Sequence, residues 1–453
     1  MFQYDMLARS IASGNGFRWY APADLARIAP YLHLDLTTLT LDPRGMLTTF
    51  RAPLYPSFLA IIYFFNGIND GRFFAARLAQ TVIGALLAPL TYYTAEHLSF
   101  IFPLSDHQMK DERRKKMAEI AAWMVAAYPM LLIFPIALAT ENLFFLLVLA
   151  SFLALQKLAT PDSRPSVFNF LLSGFLLGLA ALTRSIILVF AGFAILWIWF
   201  SLKQKRGALL SALALVLTIT PWMIRNSLLT GKITGIEVSL GYNLYVGYHP
   251  QSSGTFAFGP SLDLLSIIDD KARDEIGTQK AIEFIKQDPI RFPYLAVRRL
   301  GYFFNLELRA FTYLYVNDFL GFIPPFLLAL ILVVLALPFV IVSLSSVFGA
   351  AALPNNPQTI LLALLFVGYL LPHIFILSEE RFHLTLIPFF AILAAVFWTG
   401  GFSALKSRSG LAVVVVSLAV ALLLVNWGFE LARDGHTIIQ MLGPTGNQLY
   451  LPY

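Results

Sequence analysis

The chain has 453 residues, of which 58% are hydrophobic and 13% charged, against roughly 45–50% and about 25% in soluble domains. That balance excludes a soluble enzyme, a disordered chain and a fibrous one. The net charge is only +6 and no basic patch is interleaved with polar aromatics, which argues against nucleic acid as a partner. Cys is 0, which removes a disulfide framework, a thiolate nucleophile and a Cys-ligated metal.

In chain order, residues 1–13 read as a short amphipathic helix ending at Ser13-Gly14-Asn15-Gly16. Residues 53–66 run from Pro53-Leu54-Tyr55-Pro56 to Asn66-Gly67. They are apolar but too short to span, and fit a helix lying on or dipping into the outer interface. About ten stretches then match the template of roughly 20 apolar residues that a bilayer crossing needs: 76–98, 117–137, 140–158, 167–183, 185–202, 207–224, 321–346, 358–377, 383–402 and 410–428. Residues 167–202 are interrupted only by Arg184. As one helix they would rise about 54 Å, too long for one crossing, so two spans turning at Arg184 are expected. Between the sixth and seventh spans, 225–292 is more polar with a charged helical pattern at 269–287, and 293–316 is aromatic with Arg298, Arg299 and Arg309. The fold class predicted is an all-α polytopic membrane protein.

Lys and Arg in short loops set orientation. Lys110, Arg113, Arg114, Lys115 and Lys116, then Lys157 and Arg164, then Lys203, Lys205 and Arg206, then Lys406 and Arg408 all fall on one side if the spans alternate. The short opposite turns carry only Arg184 and Arg381 as cations. With the basic loops in the cytoplasm, the expected organisation is an external first loop at 1–75, spans over 76–224, an external loop over 225–320, spans over 321–428 and an external tail over 429–453. No span precedes the external first loop, so the expectation is that a preceding span is missing from this sequence. No internal repeat is visible.

Charges in or beside a membrane are informative because each costs a few kcal/mol unless paired or wetted. Asp5 has Arg9 one turn on: either a surface i,i+4 pair or part of a site. Glu141 opens an apolar run after Thr140. Thr140 is a candidate N-cap, and Glu141 either compensates the helix dipole or faces a wet cavity at the outer mouth. Arg184 is either a snorkelling cation or a phosphate ligand. Arg51 is an interfacial anchor or a second such ligand. Glu379, Glu380, Arg381 and His383 form either a solvated turn or part of a mouth, and Pro221-Trp222 with Arg225-Asn226 an interface belt or a functional motif. Gly-rich phosphate loops and His-Glu-x-x-His are absent. A divalent cation on Asp5 and Glu141 is chemically allowed, since hard cations take carboxylate oxygens.

These residues, in order, resemble a known family. Gln3-Tyr4-Asp5, Leu7-Ala8-Arg9, Gly14-Asn15-Gly16, Arg51-Ala52-Pro53-Leu54-Tyr55-Pro56, Gly67 and Ala76-Arg77-Leu78-Ala79-Gln80 are similar to the first external loop of the C-type glycosyltransferases. Within them, the resemblance is to the group of protein O-mannosyltransferases and lipid A aminoarabinose transferase. Thr140-Glu141-Asn142-Leu143, Gly178 through Arg184, Pro221-Trp222, Arg225-Asn226, Gly241-Tyr242-Asn243-Leu244 and Glu380-Arg381-Phe382-His383 continue the series.

The resemblance implies a membrane glycosyltransferase whose donor is a sugar on polyprenyl phosphate. It implies catalytic roles for Asp5 and Glu141, with Arg51, Tyr55, Arg184 and Arg381 binding the donor's phosphate or lipid. It implies no certain cofactor, a divalent metal on Asp5 and Glu141 being the one candidate. The partners it implies are the lipid-linked sugar, membrane lipids and an acceptor glycan, lipid or protein, as in protein glycosylation or cell-envelope modification at a bacterial inner membrane. The family's first span is absent, and where many members carry adjacent acids, Tyr4-Asp5 supplies one. The chemistry agrees: an acceptor needs a carboxylate base, and a leaving phosphate needs cations. A single displacement would invert the anomeric centre. Two other classes are weighed, a transporter or flippase of lipid-linked sugars and a surface polysaccharide ligase or polymerase.

Overall fold

A computed structural model describes residues 2–32, 42–98, 107–160, 165–309, 311, 315, 321, 323–401 and 410–443. Arg164, Lys406, Arg408 and the end of the expected tail, 444–453, lie outside the described residues. In chain order come α1 (Phe2–Ala12), β1 (Arg18–Trp19), α2 (Pro22–Leu32), β2 (Met46–Leu47), α3 (Leu54–Asn66), α4 (Arg72–Ala85) and α5 (Leu87–Leu98). They are followed by α6 (His107–Ala126), α7 (Pro129–Ile133), α8 (Glu141–Lys157), α9 (Val167–Thr183), α10 (Leu188–Phe200) and α11 (Lys205–Thr230). Then come α12 (Leu240–Tyr248), α13 (Phe258–Asp263), α14 (Asp270–Gln287), α15 (Arg291–Phe303), α16 (Pro325–Ala352), α17 (Pro357–Phe375), α18 (Ile387–Gly400) and α19 (Gly410–Met441). The strands form one small antiparallel ribbon, Arg18 opposite Leu47 and Trp19 opposite Met46.

The protein is an all-helical, polytopic integral membrane protein. Among the described residues, six helical stretches are long and apolar enough to cross a bilayer: Arg72–Leu98, Lys205–Thr230, Pro325–Ala352, Pro357–Phe375, Glu380–Gly400 and Gly410–Met441. A seventh, Asp111–Ala126 with Pro129–Ile136, is bent by 54°, where Pro129 brings no N–H to continue the ladder. Helices form at three further stretches where they were expected, 1–13, 53–66 and 269–287, as α1, α3 and α14. Residues 167–202 form two helices broken at Arg184, which takes an extended backbone between them (φ −148°, ψ 113°). The last helix continues to Met441, through much of the stretch expected as tail.

The chain divides into two compact units. The first comprises Met1–Gly84, Pro135–Arg299 and Leu361–Ser378. One of its cores packs Met6, Leu7, Phe17, Trp19, Tyr20, Phe50, Tyr242 and Tyr245, so α1, the ribbon and α12 share one apolar centre. Another joins α1 to α3 through Ala8, Tyr55, Leu59 and Tyr63, with Leu138 beneath. Helices α9 and α11 pack without room for a side chain at Gly174, where a Cβ would come 2.0 Å from the Ser211 carbonyl oxygen. The second unit comprises Ala85–Phe134, Leu300–Ile360 and Glu379–Tyr453. Its centre is α18, of which every residue from Ile387 to Val396 is buried.

Candidate functional site

Most of the residues singled out in the sequence gather in the first unit. Asp5 lies on α1, only 4% exposed. Its Oδ1 accepts from Arg72 Nε at 2.8 Å and from the Tyr63 hydroxyl at 3.0 Å. Its Oδ2 accepts from Arg9 Nε at 2.9 Å and Arg72 Nη2 at 3.2 Å. Arg9 also reaches Asp24 at 2.7 Å. The i,i+4 pair expected of Asp5 and Arg9 therefore exists, but inside a buried four-charge network in which two carboxylates balance two guanidiniums. Burial acts to raise the Asp5 pKa, and the hydrogen bonds from Arg72 and Arg9 outweigh it, leaving the carboxyl below its ordinary range. Arg72 was not anticipated. It stands 67 residues from Asp5, at the start of α4, and no local spacing connects the two.

Arg51 donates from Nε and Nη2 to Gln3 Oε1 at 2.9 and 2.6 Å. Its guanidinium lies 4.7 Å from the Phe50 ring centroid and 5.5 Å from that of Tyr4. Tyr4 meets Tyr55 edge-on at 5.3 Å. Tyr55 is fully buried, and its hydroxyl donates to Gln80 Oε1 at 2.5 Å. Gln80 in turn donates to the carbonyls of Pro135 and Ala137. The tyrosine of the Pro-Leu-Tyr segment thus fastens α3 to α4 and to the strand of chain leading into α8. Burial raises its pKa, with the negative charge of Glu141 contributing.

Glu141 opens α8 and is 5% exposed. Its Oε1 pairs with Arg184 Nη1 at 2.7 Å. Thr140 does not cap a backbone N–H as expected; its hydroxyl donates to Glu141 Oε2 at 3.0 Å. Arg184 lies 5.7 Å from the Phe144 ring centroid. Buried His373, on α17, is within electrostatic range of both charges. The two turns at 140 and 184 therefore meet as one ion pair, and neither residue is a lone snorkelling or headgroup-facing charge.

The Pro221-Trp222 and Arg225-Asn226 motif, at the end of α11, is a backbone clamp. Asn226 is fully buried and its amide donates to the carbonyls of Gly235 and Ile236 at 3.0 and 2.8 Å. Trp222 Nε1 adds a bond to Ile236 O at 3.0 Å. Arg225 donates to the carbonyl of Thr48 at 2.5 Å and of Phe17 at 3.3 Å. The strip 48–49 is further held by Asp270, whose Oδ2 accepts from the Thr48 hydroxyl and the Thr49 N–H at 2.6 and 2.7 Å.

Arg381 belongs to the second unit, half-exposed and paired with Glu379 at 2.8 Å. Its neighbours in sequence do not form a bare solvated turn. His383 is fully buried, with Nε2 2.9 Å from Glu307 Oε1 and Nδ1 2.7 Å from the Phe303 carbonyl. The Tyr128 hydroxyl donates to the same Glu307 oxygen at 2.7 Å. Glu380 accepts from the Arg309 N–H at 2.9 Å. This cluster holds the 303–309 segment against residues 380–383, in the turn that leads into α18.

The donor set does not fit a dedicated divalent metal site. Both Glu141 oxygens are engaged by Arg184 and Thr140, and both Asp5 oxygens by guanidiniums. Among the described residues, no group of three or more His, Asp or Glu side chains stands close enough to hold a cation.

No family model matches the chain, and no curated protein does. Among solved structures, the chain is similar to ArnT from Cupriavidus metallidurans bound to undecaprenyl phosphate, with a TM-score of 0.38 and 13% identity over 88% of this chain and 73% of that one. It is similar also to the apo form of the same protein, with a TM-score of 0.36 and 12% identity over 88% of this chain and 72% of that one.

Proposed function

We propose that the protein is a membrane-embedded glycosyltransferase that moves a sugar from a polyprenyl-phosphate donor to an acceptor outside the cytoplasm, by a single inverting displacement. The observation that carries this reading is convergence. Motif pieces from α1, the 48–55 segment, α4, the start of α8, the end of α9 and the end of α11 are knit into one unit by side-chain hydrogen bonds.

In this reading Arg51 and Arg184 neutralise the leaving phosphate. Arg184 is 18% exposed at its side chain, and the hydrogen bonds of Arg51 go to a neutral amide, so neither guanidinium is cancelled by a fully enclosed ion pair and both suit a phosphate. Glu141 orients Arg184, and Tyr55 fixes Tyr4, on which Arg51 rests. Asp5 and Glu141 remain essential carboxylates, Asp5 by holding Arg9 and Arg72 in place. The proposed setting is a bacterial plasma membrane with residues 1–75 and the site on the external face, a reading supported by the basic-loop pattern of the sequence. The acceptor is a glycan, lipid or protein. The test is transfer of radiolabelled sugar from short-chain polyprenyl phosphates carrying glucose, mannose, galactose or arabinose to total membranes of a host lacking the gene. A purified protein that consumes none of these donors, while moving intact lipid-linked sugar across vesicles, would instead establish the carrier reading.

A further inference from the structure

We propose that Glu237 is the general base of this site: its carboxylate takes the proton of the acceptor hydroxyl as that oxygen attacks the donor sugar. The assignment rests on the glycosyltransferase reading above and adds to it a residue that no sequence motif marks.

Position is the first argument. Glu237 lies between the segment that carries Arg51 and the turn that carries Arg184. On one side the neighbouring Val238 N–H donates to Thr49 O at 2.8 Å, two residues from Arg51. On the other, the hydroxyl of Ser185, next to Arg184, donates to Glu237 Oε1. The preceding residue is equally fixed, because Ile236 O accepts from both Trp222 and Asn226. Backbone on both sides and the carboxylate itself are thus anchored to three separate elements. A base must be held within hydrogen-bond reach of its proton, and this one is tied to the two segments that carry the cations assigned to the leaving group.

Availability is the second argument. Asp5 accepts from two guanidiniums and a phenol, and Glu141 from a guanidinium and a hydroxyl. Proton affinity and open lone pairs are reduced in both. Among the described residues Glu237 carries one hydrogen bond, from a neutral hydroxyl, and no ion pair. It is half-buried, so one oxygen remains open to an incoming acceptor.

The step balances without an added reagent. The acceptor oxygen forms a bond to the anomeric carbon. The bond from that carbon to the phosphate oxygen breaks, and its electron pair leaves with polyprenyl phosphate, met by Arg51 and Arg184. The acceptor proton passes to Glu237 and from there to water.

The experiment uses the full-length protein in nanodiscs with the donor panel above, and unloaded short-chain polyprenyl phosphate as the binding probe. For Glu237→Gln the expected result is a loss of kcat of about 10²–10⁴-fold, with donor KM and binding of the probe within about threefold of wild type. Glu237→Asp should recover part of kcat, and Glu237→Ala should regain turnover on addition of formate, which a merely structural role would not allow. An active wild type whose Glu237→Gln form keeps kcat within about threefold, or loses probe binding, or whose Ala form is not rescued by formate, overturns the assignment and leaves the function reading standing. A wild type inert toward every donor overturns the function reading and this assignment with it.

Discussion

Replacing Arg184 by Met, Glu141 by Gln, and both together tests whether the ion pair at the 140 and 184 turns is a coupled, buried element. The two sides are unequal. Glu141 is 6% exposed at its side chain and Arg184 18%. Arg184→Met takes the guanidinium from a buried carboxylate, and removing one partner of a buried pair costs about 3–5 kcal/mol. Glu141→Gln leaves a guanidinium that can turn to water and an amide oxygen that can still accept, so the loss is nearer the 1.5–3 kcal/mol of a charged hydrogen bond. The double variant has no stranded charge and should be no worse than Arg184→Met alone, giving a coupling of roughly 1.5–3 kcal/mol. At about 2 °C per kcal/mol for a large chain, Arg184→Met should lower the apparent unfolding temperature by roughly 6–10 °C. Intrinsic fluorescence of the 7 Trp residues in detergent reads this directly. If the double variant falls by the sum of the singles, the charges are independent and the reasoning fails.

Asp5, whose pKa is held below its ordinary value, gives stability that is complete above the unfolded carboxylate pKa of about 3.9. That contribution is lost as pH falls through the lower folded value; Asp5→Asn should therefore destabilise at pH 7 and flatten the drop in unfolding temperature towards pH 3. Gly174→Ala should cost about 1–3 kcal/mol, because backbone stands 2.0 Å from the new Cβ. Gly192→Ala, with nothing within 4 Å, should be neutral or stabilising, and equal losses at both sites would refute the packing argument. For the topology, an Asp70→Cys variant, at a fully exposed side chain, should react with a membrane-impermeant maleimide in intact cells. Labelling only after permeabilisation would reverse the orientation.

What could be read from the sequence was what is encoded locally. Helices follow from runs of apolar residues, although α8, α9 and α10, expected as crossings, are not among the stretches long and apolar enough to span; the break at Arg184 follows from a length that no single crossing accommodates, and α1, α3 and α14 from periodicity and turn residues. Thr140 shows where local rules stop. A Thr before an acidic residue at a helix start reads as a cap, yet its hydroxyl goes to Glu141, because that carboxylate also has to meet Arg184. Arg72 and Glu237 were invisible for the same reason. Their partners, Asp5 and Ser185, are 67 and 52 residues away, and no spacing rule links them.

The motif at Pro221-Trp222 and Arg225-Asn226 shows that legibility of position is different from legibility of role. A Trp and an Arg where a helix leaves the membrane suit an interface belt on composition alone. Here Asn226 decides the matter: a fully buried amide must be satisfied, and the Gly235 and Ile236 carbonyls satisfy it. Those carbonyls sit in a strip without regular structure, where backbone groups have no helix or sheet partners of their own. Trp222, Arg225 and Asn226 supply partners for two such strips at once, 17 with 48, and 235 with 236. Irregular backbone can hold a reacting group steady only if it is tied down in this way. The helix end is thus the rigid support for the loop strips, and the residue proposed as base is found beside the motif, in a strip that it holds, and not in it.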